Sequence, residues 1–210
     1  MIDDNTTAIQ KAVTLMEKGF FKEAIEELRA YLEIHPESIE GWYNLGYALT
    51  EIEEFEEAVK AYDEALAIDN FIFEIWFNKG AALYALKDFE KAKDCYEEAL
   101  DINDTDAEAW NNLGNCLSRL AEGSAAIEAY TRAVALEPEY AEAFYNKANA
   151  HFIEEQDERA IAYAELAVQL NPNLNNLVSQ WIGVSRDRLA SKKDEEEHLK
   201  RIRSESDKED

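Results

Sequence analysis

Trp42-Tyr43-Asn44-Leu45-Gly46 recurs three more times along this chain with small changes. The related stretches are Trp76-Phe77-Asn78-Lys79-Gly80, Trp110-Asn111-Asn112-Leu113-Gly114 and Phe144-Tyr145-Asn146-Lys147-Ala148. They start at residues 42, 76, 110 and 144, so each lies 34 residues after the one before. Self-similarity at a constant period of this size is the signature of a repeat protein.

A second series of small and aromatic residues keeps the same step. Its members are Ala58, Ala92, Ala126 and Ala160, then Tyr62, Tyr96, Tyr130 and Ala164, then Ala65, Ala99, Ala133 and Ala167. A degenerate unit precedes them, with Ala8, Ala12, Phe21, Ala24, Leu28, Tyr31 and Pro36 at the matching positions. The sequence therefore contains five units.

The composition and the small residues together predict helices packed in pairs. Only three prolines and seven glycines are present among 210 residues, which favours helix over turn-rich folds. Glycine or alanine at fixed places lets two antiparallel helices approach closely, and the tryptophans fill the wider gaps. Because one hairpin cannot bury its own apolar face, each hairpin packs on the next.

The pattern resembles the tetratricopeptide repeat family, whose signature has Trp, then Leu-Gly, a later Ala with an aromatic, and a closing Pro. The resemblance covers about residues 5–174. It implies an all-α fold, a right-handed superhelical α-solenoid of five antiparallel helical hairpins plus a C-terminal capping helix. The expected repeats are 5–38, 39–72, 73–106, 107–140 and 141–174.

We expect one domain over residues 1–190, closed by a cap helix from Asn175. Its apolar face is predicted to include Leu177, Val178 and Trp181, with Arg186 and Arg188 elsewhere on the helix. Residues 191–210 are strongly charged and predict a helical extension that frays into a disordered tail.

Two departures from the family pattern affect the turns. Asn70 and Asp104 replace prolines, so we expect Asx-type hydrogen bonding there. Gly123 and Asp157 replace an aromatic residue, and we expect looser turns within the last two units.

The charge restricts the partners. With 46 acidic and 21 basic residues the net charge is −25, which repels phosphate backbones and excludes nucleic acid as a direct partner. No apolar run approaches the length of a membrane-spanning helix, so no membrane partner is expected. The N-terminus starts Met1-Ile2-Asp3-Asp4 and lacks the basic and apolar segments of a secretory signal, so we expect a cytoplasmic protein.

The sequence shows no arrangement of catalytic or metal-binding residues, and we predict no enzyme activity, no cofactor and no metal. His35, His151 and His198 have no companions at metal-ligand spacing. Cys95 and Cys116 could lie on neighbouring helices, but free thiols are the interpretation we favour over a disulfide. Lys79 and Lys147 replace leucines, and we expect their ammonium groups to reach water over apolar stems.

The first helix of each unit has a second stripe of side chains, at i, i+3, i+4 and i+7 spacing. This stripe is predicted to line the inner, concave surface of the superhelix. The candidate peptide-binding residues are Tyr43, Asn44, Tyr47, Phe77, Asn78, Tyr84, Asn112, Asn115, Arg119, Tyr145, Asn146 and Asn149. The family often uses such asparagines to hold a peptide backbone; the alternative is that they bond to a neighbouring helix. The stripe carries Glu40, Glu74, Glu108 and Glu142, so the basic carboxylate clamp of some family members is absent.

These features predict a protein-interaction scaffold that binds an extended or short helical segment of a partner in the concave groove. The alternative is a self-assembly module that acts through its terminal hairpins, where Ile9, Val13 and Met16 would be poorly shielded. We expect a monomer under the first hypothesis and a homo-oligomer under the second.

Overall fold

The computed structural model describes the backbone of residues 4–206 and the side chains of residues 8–203. Within those limits every regular element is helical, which confirms the all-α prediction. The helices are α1 (Asp4–Glu17), α2 (Phe21–Ile34), α3 (Ile39–Glu51), α4 (Phe55–Ile68), α5 (Phe73–Ala85), α6 (Phe89–Ile102), α7 (Ala107–Arg119), α8 (Gly123–Leu136), α9 (Ala141–Ile153), α10 (Asp157–Leu170), α11 (Asn175–Val178) and α12 (Ile182–Ser206), with a 3₁₀ helix at Pro172–Leu174 before α11.

The chain divides into two compact units, residues 1–120 with α1 to α7 and residues 121–210 with α8 to α12. Their boundary falls in the turn of the fourth repeat. In unit 1, α1/α2, α3/α4 and α5/α6 are hairpins, and each second helix also packs on the next first helix. In unit 2, α9 packs between α8 and α10, and α10 packs on α12. The single domain expected over residues 1–190 stays a prediction.

Small residues allow the close helix approach that the repeat pattern predicts. A Cβ atom at Gly46 would lie 2.5 Å from the ring of Tyr62, and one at Gly80 would lie 3.1 Å from the ring of Tyr96. Tyr62 and Tyr96 are almost completely buried, and burial raises the pKa of both hydroxyls. Each tyrosine therefore fills the space that its partner glycine leaves open.

A left-handed residue ends the first helix of each hairpin. The residues with positive φ are Gly19, Glu53, Lys87, Ala121 and Glu155, again 34 apart. In the second hairpin the Glu53 amide donates to the Thr50 carbonyl at 3.0 Å, and the Glu54 amide donates to the Leu49 carbonyl at 2.9 Å. These two bonds form the Schellman closure of a helix C-terminus.

The fifth hairpin has the same closure, with the Glu155 and Gln156 amides bonded to the carbonyls of Phe152 and His151 at 3.1 and 2.9 Å. The expectation of a looser turn is therefore wrong for this unit. Asp157 stands where three other repeats have phenylalanine. Its side chain is buried and forms an ion pair with Arg188 of α12.

The tryptophans link consecutive hairpins through a hydrogen bond. The indole N–H groups of Trp42, Trp76 and Trp110 donate to the carbonyls of Pro36, Asn70 and Asp104, each at 2.8 Å. Any residue supplies this carbonyl, which explains why proline can be replaced at the closing position.

The turns without proline contain the expected Asx bonds, but from the preceding residue. The Asp69 carboxylate accepts from the Phe71 amide at 2.9 Å, and the Asn103 side chain accepts from the Thr105 amide at 3.2 Å. The prediction of Asx-type hydrogen bonding in these two turns is confirmed, with the acceptor on the residue before each replaced proline.

The cap differs from the single helix expected from Asn175. The 3₁₀ helix and α11 precede α12, and Val178 and Trp181 are buried at the junction as predicted, whereas Leu177 is exposed. Arg188 was placed away from the packing face, yet its guanidinium lies 4.7 Å from the ring centroid of Phe152. The helix then continues to Ser206, and residues 207–210 of the predicted tail lie outside the described part.

Candidate functional site

The first helices of the repeats in unit 1 form a continuous face. Helix α1 contacts α3, α3 contacts α5, and α5 contacts α7. We call this surface, formed by α1, α3, α5 and α7, the odd-helix face. It carries nine of the twelve candidate residues, from Tyr43 to Arg119.

A depression of about 300 Å³ lies on this face between α1 and α3, and we call it the α1–α3 depression. Its lining consists of Val13, Met16, Glu17, Tyr43, Asn44 and Tyr47. Tyr47 is 38% exposed and is the most exposed aromatic residue of the predicted set. The depression thus combines apolar walls with one amide and one carboxylate.

Three lining residues, Val13, Met16 and Glu17, were not among the candidate residues. Val13 lies 34 residues before Tyr47 and so occupies the same repeat position. Extending the stripe by one repeat would have found it. Ile9, which was expected to be poorly shielded, is 7% exposed and belongs to the core.

The asparagines do not form a uniform ladder. The Asn44 amide donates to the Glu40 carbonyl of its own helix at 2.8 Å. The Asn78 amide of α5 donates to the Tyr43 hydroxyl of α3 at 3.3 Å. Asn78 therefore follows the alternative interpretation, a bond to a neighbouring helix, while Asn112 and Asn115 are half-buried on α7.

Several aromatic candidates also pack within the hairpins. Phe77 lies edge-on to Tyr96 with ring centroids 5.7 Å apart, and Tyr84 lies edge-on to Phe89 at 5.2 Å. The Arg119 guanidinium covers Phe89 at 4.4 Å from its centroid. Phe77 and Tyr84 are half-buried, so each has both a packed edge and a surface edge.

Glu17 lines the α1–α3 depression, and Glu74 is near enough for its charge to act on Tyr43, which also lines it. Glu17, Glu51 and Glu74 are exposed. Burial raises the pKa of Tyr43, the bond from Asn78 opposes that shift, and the negative charge of Glu74 adds to it. The charge of Glu51 likewise acts on Tyr62, whose ring centroid lies 6.4 Å from that of Tyr43. A cationic group placed here would therefore be favoured.

The three remaining candidates, Tyr145, Asn146 and Asn149, lie on α9 in unit 2 and are half-buried. Tyr145 packs against a cluster that contains Val178 and Trp181. Phe152, two turns after Tyr145, stacks on Trp181 with ring centroids 4.9 Å apart, so the cap covers it.

Two polar residues in α9 have structural partners. His151 is 2% exposed, stacks on Tyr163 and forms a 3.0 Å hydrogen bond with Gln156. Lys147 is 5% exposed, and its ammonium lies 4.1 Å from the Tyr163 centroid. The expectation that this ammonium reaches water is wrong, because the aromatic face stabilises the charge instead.

Lys79 in unit 1 reaches the surface, as expected, with its ammonium 2.6 Å from Asp63.

Cys95 and Cys116 are free buried thiols. Burial raises the pKa of Cys95 to about 11 and that of Cys116 to about 12.

Over residues 8–203 no group of three or more His, Cys, Asp or Glu side chains is arranged to hold a metal ion. In the same part of the chain no helix is long and apolar enough to cross a bilayer.

Three family models described as tetratricopeptide repeat match the sequence. One covers residues 9–71, another covers 73–106 and 107–140, and the third covers 141–174. No curated protein matches the chain.

Solved structures with a similar fold include the three proteins described next. MamA 41-end from Desulfovibrio magneticus RS-1 is 22% identical, with a TM-score of 0.78 over 83% of this chain and 99% of that one. YrrB, described as a TPR protein with an unusual peptide-binding site, is 21% identical, with a TM-score of 0.74 over 82% and 88%. The pilF protein of Pseudomonas aeruginosa is 24% identical, with a TM-score of 0.70 over 89% and 87%. At these identities the likeness concerns the fold alone.

Proposed function

This chain belongs to the tetratricopeptide repeat family, and from that premise we propose that its odd-helix face binds an extended or short helical segment of a partner protein. Members of the family are protein-interaction scaffolds and not enzymes, so the chain is a scaffold of this kind. What we propose is that the partner binds as an extended or short helical segment, and that it binds on unit 1.

The α1–α3 depression is the observation that carries the proposal. Apolar side chains of Val13, Met16 and Tyr47 surround a space that no other side chain described in unit 1, residues 8–120, fills. A concave site with apolar walls and a few polar groups is the usual form of a ligand site. An apolar or aromatic side chain of the partner would enter it.

Polar groups at the rim fit a peptide backbone. The Asn44 carboxamide uses one donor on the Glu40 carbonyl and retains a second donor and an acceptor for a ligand. Asn78 holds the Tyr43 hydroxyl and thereby fixes one wall of the depression. Asn44 is thus the direct contact, and Asn78 has a positioning role.

The acidic rim favours a partner with basic residues. Glu17, Glu51 and Glu74 would face lysine or arginine side chains beside the apolar anchor. Opposite charges accelerate encounter and select the partner, while an acidic tail would be repelled. The expected ligand is a segment with one or two apolar anchors flanked by cations.

Selection from a random phage-displayed peptide library on the full-length protein tests this proposal. We expect selected peptides to combine an apolar anchor with basic residues, and to bind Tyr47→Ala about 10- to 100-fold more weakly, as loss of a buried aromatic contact of about 2 kcal/mol requires. The matched control is Phe71→Ala, which removes an aromatic side chain that is 72% exposed in the α4–α5 connection. Peptides that bind Tyr47→Ala as well as wild type, or that are lost with Phe71→Ala, would show that another surface is used.

A further inference from the structure

The end of α12 is an exposed amphipathic segment without a function in the fold. Every residue from Lys193 to Arg203 is exposed, over about 16 Å of helix. Leu199 and Ile202 are each 49% exposed and lie one turn apart on the same side. We call residues 198–203 the α12 tip.

The α12 tip differs in charge from the rest of the chain. Its sequence is His198-Leu199-Lys200-Arg201-Ile202-Arg203, with three cations and no acid, in a protein of net charge −25. At 100° per residue, Arg203 lies beside Leu199 and Ile202, and Lys200 lies next to it. Glu195 and Glu196 lie four and three residues before Leu199, on the same side of the helix, and Glu205 and Asp207 follow the tip in the sequence, so the basic apolar surface is limited to residues 198–203.

We propose that the α12 tip of one copy docks into the α1–α3 depression of a second copy. Leu199 and Ile202 would occupy the apolar space beside Tyr47, and Lys200 and Arg203 would face the acidic rim at Glu17 and Glu74. The inference rests on the proposed function, because it names the partner of the same depression.

Complementary chemistry supports this occupant. The depression of about 300 Å³ is large enough for two aliphatic side chains, and the tip offers two on one turn. Glu17 lines the depression, whereas the tip carries three cations and no acid, so the two surfaces have opposite charge. A helix in an apolar groove is an established mode of peptide recognition.

The contact is heterologous, since the tip and the depression are different surfaces of the same chain. Each copy offers one of each, so copies associate head to tail. The contact area of a six-residue tip is far below that of a stable dimer, which is about 1,200 Å² or more, so the association is weak and concentration-dependent.

Sedimentation of the full-length protein between about 10 and 500 µM at about 0.15 M salt, where the screening length is about 8 Å, tests the inference. We expect the mean mass to rise with concentration. The variants Tyr47→Ala and Leu199→Asp/Ile202→Asp should each weaken association at least tenfold. Val184→Asp, which changes a 50% exposed residue of the same helix, is the matched control and should associate like wild type.

Mixing the two variants gives the sharper test. Tyr47→Ala retains its tip and Leu199→Asp/Ile202→Asp retains its depression, so the mixture should form a one-to-one pair that neither variant forms alone. A wild-type protein that stays monomeric throughout, or a mixture that stays monomeric, overturns the inference. The phage-library experiment separates the two proposals. If the protein stays monomeric but the library yields peptides whose binding depends on Tyr47, the proposed function stands and this inference fails.

Discussion

The Arg188 guanidinium of α12 lies 2.8 Å from the carboxylate of Asp157, whose side chain has no solvent exposure. Lys192 of the same helix lies 3.6 Å from the second carboxylate oxygen. Arg188 also donates a 3.3 Å hydrogen bond to the Phe152 carbonyl. Asp157 takes the place of Phe21, Phe55 and Phe89, so a buried ion pair replaces an aromatic contact where the stack meets its cap.

We expect Asp157→Ala to lower the free energy of unfolding of the cap by about 2 kcal/mol, because it removes the buried carboxylate 2.8 Å from Arg188 and leaves only the exposed Glu155 at 3.7 Å. Asp157→Phe combined with Arg188→Met should recover most of that loss, since an apolar pair of similar volume can replace a buried ion pair. Hydrogen exchange along α10 and the first turns of α12 measures both effects. Unchanged exchange in Asp157→Ala would mean that packing of Trp181 alone holds the cap.

The burial of His151 predicts a pH dependence. Burial lowers the pKa of its imidazole, the bond to Gln156 opposes this, and the charges of Lys147 and Arg159 add to the lowering. The unfolded chain, with a histidine pKa near 6.5, therefore binds a proton first as the pH falls. The neutral histidine contributes stability above about pH 6.5, and that contribution is lost at lower pH.

Urea unfolding of wild type and His151→Leu between pH 7.5 and 5.5 measures this effect. Leucine occupies the matching position in three sister repeats, and all other titrating groups are shared by both proteins. We expect the stability of wild type to fall relative to the variant as the pH decreases. A difference that stays constant over this range would contradict the assignment.

Glycines in the helices should respond to alanine in a graded manner. Gly46→Ala places a methyl group 2.5 Å from the buried Tyr62 ring and should destabilise the protein by about 1–3 kcal/mol. Gly80→Ala meets Tyr96 at 3.1 Å, so we expect a smaller loss, offset by the helix propensity of alanine. Gly183→Ala meets nothing within 4 Å and should stabilise α12 by about 0.5–1 kcal/mol. Equal effects of the three changes in thermal unfolding would refute the steric explanation.

The two cysteines should be inert in the folded protein. With a pKa of about 11, roughly one Cys95 thiol in a thousand is ionised at pH 8, and Cys116 is ionised less. Iodoacetamide should therefore label neither under native conditions, and both after unfolding without reductant, as mass spectrometry can show. Rapid native labelling would indicate that α6 or α7 opens, and failure to label unfolded protein would indicate a disulfide.

The 34-residue period was enough to predict the helical hairpins and their small-residue contacts, because close packing restricts residue type at Gly46 and Ala58. The period does not predict the structure correctly where polar residues lie in the core. Asp157 and Lys147 look like departures in the sequence, and only the structure shows that Arg188 and Tyr163 compensate them. These partners lie 31 and 16 residues away, beyond what the repeat pattern describes.

The candidate site was predictable in position and less so in detail. The stripe containing Tyr43 and Tyr47 does line the α1–α3 depression, which the period alone indicates. The partners of Asn44 and Asn78 were not predictable, since an amide can bond its own helix or the next one equally well. Side-chain rotamers, which the period does not determine, decide between these outcomes.

The left-handed turn residue of each hairpin has a consequence for how such chains change over time. Glycine, glutamate, lysine, alanine and glutamate hold the same backbone conformation at successive 34-residue steps. The turn thus constrains the path of the main chain while leaving the chemistry of its surface residue open. A duplicated repeat can acquire a new charge at this point without a change in its shape, so each turn is a place where the surface of the protein can diversify while the stack is retained.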